Sequence, residues 1–381
     1  MTRPTIAVEA VTTREAIDDL AEAWNGLLAA IGSASPFSTL DWIRCCLEYD
    51  PSSAPHILVA REGGTVTGIA PLWRQTKTYR GITAQSLAFI SSSETAEADF
   101  IVDPASREET LRALAEYLYR ASPARWDVVV LGQWPAESPN AQAFLRLLRS
   151  SGSAHFTGVS SIVPYIPIAG DWEAFWQSRT YLFRKSRRGI LNRFKRLGEA
   201  EILSLEGDQA EEALRLYLDV SNRGWKQAEG LAVAGRPELQ RFFTCLTRTA
   251  ARLGWLRVWV LKIGAQAVAA EYHLASGGRV HALRADYDEA HAAHSPGAYL
   301  EYHILQRLFT EGFREYSTGP GRDDYKRRWT EHEQTNLSVT LCRKTAVGRA
   351  VWLLEGVLAP AFRRGRALLA SVRGKAHERS S

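Results

Sequence analysis

Residues 256–284 read LRVWVLKIGAQAVAAEYHLASGGRVHALR. Three runs of strand length stand out in this stretch: Leu256–Lys262, Ala267–Leu274 and Arg279–Arg284. Helices are predicted ahead of it, over Tyr181–Leu197, Ala210–Ala228 and Glu238–Arg252. Behind it a polar loop leads to a helix over Gly297–Thr310, then to strands at Phe313–Ser317 and Asn336–Leu341. Helices before an antiparallel hairpin, followed by helix alternating with strand, predict an α/β (α+β) unit.

The first half repeats that order. An amphipathic helix is predicted over Arg14–Ala30, with Ile17, Leu20, Trp24, Leu27 and Leu28 on one face, and a short helix around Asp41–Glu48. Two strands, His56–Ala60 and Val66–Trp73, flank the hairpin signal Glu62-Gly63-Gly64. Ser86–Ile90 (strand), Glu109–Arg120 (helix), Trp126–Leu131 (strand), Ala141–Arg149 (helix) and an extended Ser160–Ile168 complete it. The hairpin turns compare directly, Gly63-Gly64-Thr65-Val66-Thr67-Gly68-Ile69-Ala70 against Ile263-Gly264-Ala265-Gln266-Ala267-Val268-Ala269-Ala270. Two copies of one unit are therefore expected, over 1–168 and 169–342, with a tail over 343–381.

Composition supports a globular chain of 381 residues, 45% hydrophobic and 23% charged. The net charge of +5 is unevenly spread: nine basic and two acidic residues give Arg343–Arg379 a charge of +7, leaving −2 for the remainder. That balance argues against nucleic acid as the partner of the whole protein. The tail mixes Val351, Trp352, Leu354, Leu358, Phe362 and Leu369 with Arg349, Arg363, Arg364 and Arg366, and Pro360 is expected to divide it into two short helices. A basic amphipathic segment of this kind suits an anionic membrane surface, the protein's own body or a partner. Cys45, Cys46, Cys245 and Cys342 have neither metal nor disulfide spacing and read as buried or incidental thiols. The start of the chain lacks a signal-peptide layout and no apolar run is long enough to span a bilayer, so a cytoplasmic location is expected, with peripheral contact at the inner face of the membrane open through the tail.

The second half carries a recognisable order of motifs. Asp286-Tyr287-Asp288 precedes Ser295-Pro296-Gly297, which opens a helix; Gly312-Phe313 follows, then Gly319-Pro320-Gly321 with Tyr325, Lys326 and Trp329. This order resembles the CelD/BcsL-type acetyltransferases of the GNAT superfamily, a group related to the FemABX aminoacyl transferases. The basic helix with Lys185-Ser186-Arg187-Arg188, and the Ser35-Pro36-Phe37 region with Trp42, fit the same group. The resemblance implies tandem GNAT-like domains, each a mixed, partly splayed sheet flanked by helices. It further implies acetyl-CoA or another acyl-CoA as donor, no metal, and a link to exopolysaccharide synthesis. One departure stands out: the Arg/Gln-x-x-Gly-x-Gly/Ala pyrophosphate loop of ordinary GNAT enzymes is absent, and Ser-Pro-Gly stands in its place.

Each motif has a chemistry of its own. Ser295 and Pro296 suit an N-cap and first helical turn, Gly297 leaves room for a ligand, and a helix N-terminus with free N–H groups is a phosphate seat. Clustered Gly319 and Gly321 permit a tight turn beside a ligand, and Lys326 brings a mobile point charge that could hold a phosphate or stabilise an oxyanion. In FemABX-like enzymes, the resemblance suggests, such a lysine sits in the active site. Glu271, His273, Asp286 and Tyr287 are alternatives for the proton acceptor, with Glu271 favoured because it interrupts the apolar run Val268-Ala269-Ala270. Arg187 and Arg188, on a helix without acidic residues, are candidates for an anionic donor or acceptor, and Trp329 for substrate contact.

These readings lead to acyl transfer onto an amine or hydroxyl, with a sugar precursor implied as acceptor by the resemblance alone. Lys326, Glu271, Tyr325 and Asp286 form the catalytic set, and Ser295, Pro296, Gly297, Gly319 and Gly321 the donor site. Tyr287, His273, Arg187, Arg188 and Trp329 are assigned to substrate. Two alternatives stay open: an aminoacyl-tRNA donor, and a non-catalytic partner of a membrane polysaccharide synthase. Gly-x-Ser-x-Gly, the Gly-x-x-x-x-Gly-Lys-[Ser/Thr] loop and metal-ligand clusters are absent from the sequence.

Overall fold

The computed structural model describes residues 5–32, 35–119, 126–230 and 232–359. The strands of the first half are β1 (Ala7–Val11), β2 (Ala54–Pro55), β3 (Ile57–Glu62), β4 (Thr65–Ala70), β5 (Leu72–Tyr79), β6 (Ile82–Phe89), β7 (Ile101–Val102), β8 (Val128–Pro135) and β9 (His155–Pro167). Those of the second half are β10 (Ala200–Leu205), β11 (Leu256–Ile263), β12 (Gln266–Ser276), β13 (Arg279–Tyr287), β14 (Glu315–Ser317) and β15 (Glu333–Cys342). They form a small sheet, β1-β3-β4-β7, and an eleven-stranded sheet, β10-β11-β12-β13-β14-β9-β15-β8-β6-β5-β2. The fold is mixed α/β with helices on the sheet faces, as expected, and neither sheet closes into a barrel.

Local signals explain the elements that bound the site. The Tyr181–Leu197 helix starts where the Thr180 hydroxyl accepts from the Phe183 amide and stops at Gly198, whose φ of 78° suits glycine. The Glu62–Thr65 turn places Gly63 and Gly64 at positive φ and joins β3 to β4 antiparallel. Two-residue turns, Gly264-Ala265 and Gly277-Gly278, connect β11, β12 and β13 into the expected antiparallel meander.

Several boundaries differ from the sequence reading. The helix expected over Ala210–Ala228 ends at Ser221, and Gly224 breaks it; a Cβ there would sit 3.0 Å from the Tyr287 carbonyl oxygen, so glycine permits a close backbone approach. Arg14–Ala30 is two helices, Arg14–Asp18 and Ala21–Ile31. β1, β10 and most of β5 were not anticipated, because these strands carry little apolar alternation. Ala346–Val351 and Trp352–Leu358 are helical, while Pro360 and the residues after it lie outside the described residues.

The halves are interlocked. β15, late in the chain, lies between β8 and β9 and pairs antiparallel with both. The same core cluster holds Trp24, Trp42 and Ile43 from the first half and Phe242, Phe243 and Tyr272 from the second.

Within each half, one parallel pair marks the place where the sheet opens. β6 and β8 are in register only over Ser86–Ala88 against Val128–Val130, and β13 and β14 only over Arg279–His281 against Glu315–Ser317. Beyond these three-residue ladders the strands pair no further. In the first half the gap is filled: Phe89, Phe100 and Trp134 pack edge to face at 5.0–5.7 Å. There the Ala98 amide donates to the Gln133 carbonyl at 2.8 Å, and the Trp134 indole donates to Asp99 at 2.8 Å. In the second half the gap is a cleft.

Candidate active site

The cleft has a volume of about 640 Å³ and is walled by Ala282–Tyr287 of β13, by Tyr316 of β14 with Thr318, Gly319 and Pro320 after it, and by Gly297, Ala298 and Glu301 of the Pro296–Leu308 helix. The Tyr181–Leu197 helix contributes Arg187, and the loop of the first half before β7 contributes Ser93 and Glu94. Two of its ends differ in chemistry.

At one end four charged side chains and two phenols meet. Arg187 is buried and donates from Nη2 to Glu301 Oε2 at 3.0 Å, with its guanidinium 5.0 Å from the Phe183 ring and 5.3 Å from the Trp329 ring. Burial raises the Glu301 carboxyl from 4.5 to about 7; Arg187 opposes that rise and Glu271 adds to it. Glu271 Oε2 accepts from Tyr316 OH at 3.4 Å and meets His273 Nε2 at 2.9 Å. Burial likewise lowers the Arg187 guanidinium and raises the Tyr316 phenol.

Lys326 is also buried there, and its setting differs from the expected mobile charge. Its ammonium donates to the carbonyls of Gly319 at 3.1 Å and Pro320 at 2.9 Å, and approaches Asp323 Oδ2 at 3.5 Å. Three donors meet three acceptors, so Lys326 pins the glycine turn. Gly319 has φ 76° and a Cβ there would lie 2.8 Å from the Ala282 carbonyl oxygen, so the turn presses directly on β13. Gly321, at φ 115°, shapes the same turn beside Asp323 and does not line the cleft. Tyr325 does line it, and is 43% exposed. Partial desolvation, then Glu301 and Glu271, push its phenol up.

The other end holds Asp286, whose oxygens are both engaged: Lys226 Nζ lies 2.7 Å from Oδ1, and Tyr217 OH donates to Oδ2 at 3.2 Å. Arg284 bridges Asp286 at 3.8 Å to Glu94 at 3.2 Å. Asp286 is thereby the hub of an ion-pair network at the cleft wall. Tyr287 lines the cleft next to it.

Between the ends stands the start of the Pro296–Leu308 helix. Ser295 precedes it, yet its side chain makes no cap hydrogen bond, because φ 58° and ψ 54° put Ser295 in the left-handed region instead of the extended conformation a cap requires. Pro296 has no N–H, and the first-turn amides of Gly297 and Ala298 have no intrahelical acceptor. These two residues line the cleft, so their amides form an uncapped helix start at its wall. Pro296 itself is buried behind them.

Of the remaining expected residues, His273 and Trp329 are buried behind the cleft, touching Glu271 and Arg187 respectively. Arg188 is exposed on the outer face of its helix and does not reach the cleft. Glu301 and Glu94 were not anticipated. Glu301 had a signal, an acid within the apolar stripe of Leu300, Ile304, Leu305 and Leu308. Glu94 had none, since it meets Arg284 across 190 residues of sequence. Among the described residues no group of three or more His, Cys, Asp or Glu side chains is arranged to hold a metal ion, and no helix is long and apolar enough to cross a membrane.

Comparison with known proteins agrees with this geometry. Residues 184–327, the segment that builds most of the cleft, match the family model described as an acetyltransferase (GNAT) domain. The second half thus carries a GNAT-superfamily acetyltransferase domain. The whole fold is similar to that of FemX, at 11% identity and a TM-score of 0.55, over 87% of this chain and 96% of FemX. It is also similar to a conserved protein of unknown function from Bacteroides thetaiotaomicron VPI-5482, at 11% identity and a TM-score of 0.58, over 88% and 100% of the two chains. The C-terminal domain of a putative lysylphosphatidylglycerol synthetase from Agrobacterium fabrum gives 12% identity and a TM-score of 0.53, over 88% and 95%. No protein of curated function matches the sequence.

Proposed function

We propose that the chain is an acyltransferase that takes an acetyl or related acyl group from coenzyme A and passes it to an amine or hydroxyl. The observation that carries this reading is the uncapped helix start at Gly297 and Ala298, open to the cleft where β13 and β14 part. Two amide donors at the positive end of a helix dipole suit the donor's phosphates. Ser295, Pro296 and the Gly319–Gly321 turn shape this seat without needing to touch the ligand.

The acceptor's nitrogen or oxygen attacks the thioester carbon, and the carbon–sulfur bond breaks. Glu301, titrating near neutrality, takes the acceptor's proton, and Glu271 holds the acceptor beside it. Tyr325, whose phenol keeps its proton, donates a hydrogen bond to the departing sulfur, and the proton taken by Glu301 completes the free thiol. Lys326 positions the glycine turn and contributes its charge to the developing oxyanion at a distance. The filled gap of the first half supports its role as a scaffold that lends Glu94 to the Asp286 end of the cleft. A sugar or exopolysaccharide precursor, the acceptor implied by the CelD/BcsL resemblance, has the hydroxyl or amine this chemistry needs. Peripheral contact with a membrane or a synthase through the tail is part of the same reading; Trp352, Leu353, Val357 and Leu358 are exposed at its start.

A second donor, aminoacyl-tRNA, draws support from Lys185, Arg188, Lys195 and Arg196, which line the exposed face of the Tyr181–Leu197 helix. Release of free thiol from acetyl-CoA, measured over a panel of amino sugars and polyols, decides between the two. Acceptor-dependent release that Glu301→Gln abolishes supports the proposal; release that is absent throughout, with acyl transfer from aminoacyl-tRNA instead, overturns it.

A further inference from the structure

Cys45 and Cys245 are 200 positions apart, one in each half, yet their sulfur atoms stand 2.9 Å apart. Cys45 is on the Leu40–Tyr49 helix and Cys245 on the Pro237–Arg252 helix. These helices are clamped face to face by Trp42 against Phe242 at 5.3 Å, by Arg252 against Asp41 at 2.6 Å, and by Arg241 donating to the Glu48 carbonyl at 3.1 Å. The other thiols point elsewhere: Cys46 meets Thr95 at 4.0 Å, and Cys342 belongs to a separate core cluster.

We propose that Cys45 and Cys245 are an oxidative modification site, a thiol pair that a peroxide converts into a disulfide joining the two halves of the chain. A disulfide needs sulfur atoms about 2.05 Å apart, so the present contact requires an approach of about 0.9 Å. Rotation of the cysteine side chains and a small shift of either helix cover that distance. Cys45 is buried and Cys245 only partly so, which gives a peroxide access to Cys245 first. The hydrogen bond between the thiols favours the same order, lowering Cys245 and, with burial, raising Cys45.

In the first step the Cys245 thiolate attacks one oxygen of hydrogen peroxide. The O–O bond breaks, giving a sulfenic acid and a hydroxide that takes up the proton released by Cys245. In the second step the Cys45 sulfur attacks the Cys245 sulfur, the S–O bond breaks, and water leaves with the Cys45 proton. Two thiols lose two electrons and two protons, and one peroxide becomes two waters. The product ties together the halves that face each other across the cleft through Glu94 and Arg284.

The test treats the full chain, folded, with hydrogen peroxide, alkylates it under denaturing conditions, and maps the linked peptides by mass. The expected result is one Cys45–Cys245 disulfide, two alkylated cysteines at Cys46 and Cys342, and a thermal midpoint raised by roughly 5 °C and restored by a reductant. Cys245→Ser, altering the more exposed partner, is expected to fold as the wild type, form no disulfide and show no shift. Four alkylatable thiols in the treated protein, linkage through Cys46 or Cys342, or linkage that appears only after denaturation would each overturn the proposal.

Discussion

Replacing Arg187 by Met tests the electrostatics at the buried end of the cleft. Met retains much of the side-chain volume against Phe183 and Trp329 but removes the guanidinium 3.0 Å from Glu301. In the wild type, Glu301 binds its proton more tightly folded than unfolded, so it favours folding most below pH 4.5 and progressively less as pH rises to about 7. The change from 4.5 to about 7 corresponds to about 3 kcal/mol of stability lost across that window. Arg187 limits that loss by favouring the carboxylate. Without it the Glu301 carboxyl rises further, and stability continues to fall above pH 7. Breaking a buried pair costs about 3–5 kcal/mol when the survivor remains charged. We therefore expect Arg187→Met to lose about 3 kcal/mol at pH 8.5 and under about 1 kcal/mol at pH 5.5, where Glu301 is protonated in both proteins. Urea unfolding followed by tryptophan fluorescence at the two pH values measures the difference. An equal loss at both would refute the assignment of a proton to Glu301 near neutrality.

Three further outcomes follow from the same geometry. Gly319→Ala is expected to destabilise by about 2 kcal/mol, since it adds a Cβ 2.8 Å from a carbonyl oxygen at positive φ; a wild-type urea midpoint would contradict the close approach. Lys326→Met should leave the Gly319 and Pro320 carbonyls without their donor, lowering stability by about 2 kcal/mol and weakening acyl-CoA binding, whereas Lys326→Arg should recover part of both. For turnover, the wild-type kcat/KM should rise with pH through about 7 as Glu301 loses its proton, and Glu301→Gln should lose that limb and on the order of 10²-fold or more in rate. A limb that persists in the Gln variant would refute Glu301 as the proton acceptor.

What the sequence disclosed follows the range of its signals. The Tyr181–Leu197 helix was legible because its apolar stripe, Thr180 cap and Gly198 stop are all local. The β11–β12–β13 meander was legible because its apolar runs have strand length and end at glycines. β10 and β5 were not, since edge pairing in β10 and solvent-facing polar residues in β5 hide the alternation. The insertion of β15 between β8 and β9 is a long-range pairing with no local mark.

The site divides in the same way. Gly297, Gly319, Glu271, Tyr325 and Lys326 were chosen for their chemistry, and the structure gathers all five around one cleft or its supporting turn. The fixed setting of Lys326 was not legible, because only the folded loop supplies the carbonyls that hold it. Ser295 was expected to cap its helix; the left-handed backbone that prevents this depends on the preceding turn, Glu289–His294. Arg187 and Arg188 are adjacent in sequence, but the helical rotation sends one into the cleft and the other to solvent.

The most direct test of the donor seat is calorimetric titration of acetyl-CoA and free CoA into the wild type and Ala298→Asp. An aspartate in the first helical turn stabilises the helix while placing a negative charge where the donor's phosphates are assigned. Saturable wild-type binding, weakened at least roughly tenfold in a variant of undiminished thermal midpoint, is the predicted result. Equal affinity in the two proteins, or no binding by the folded wild type, would contradict it.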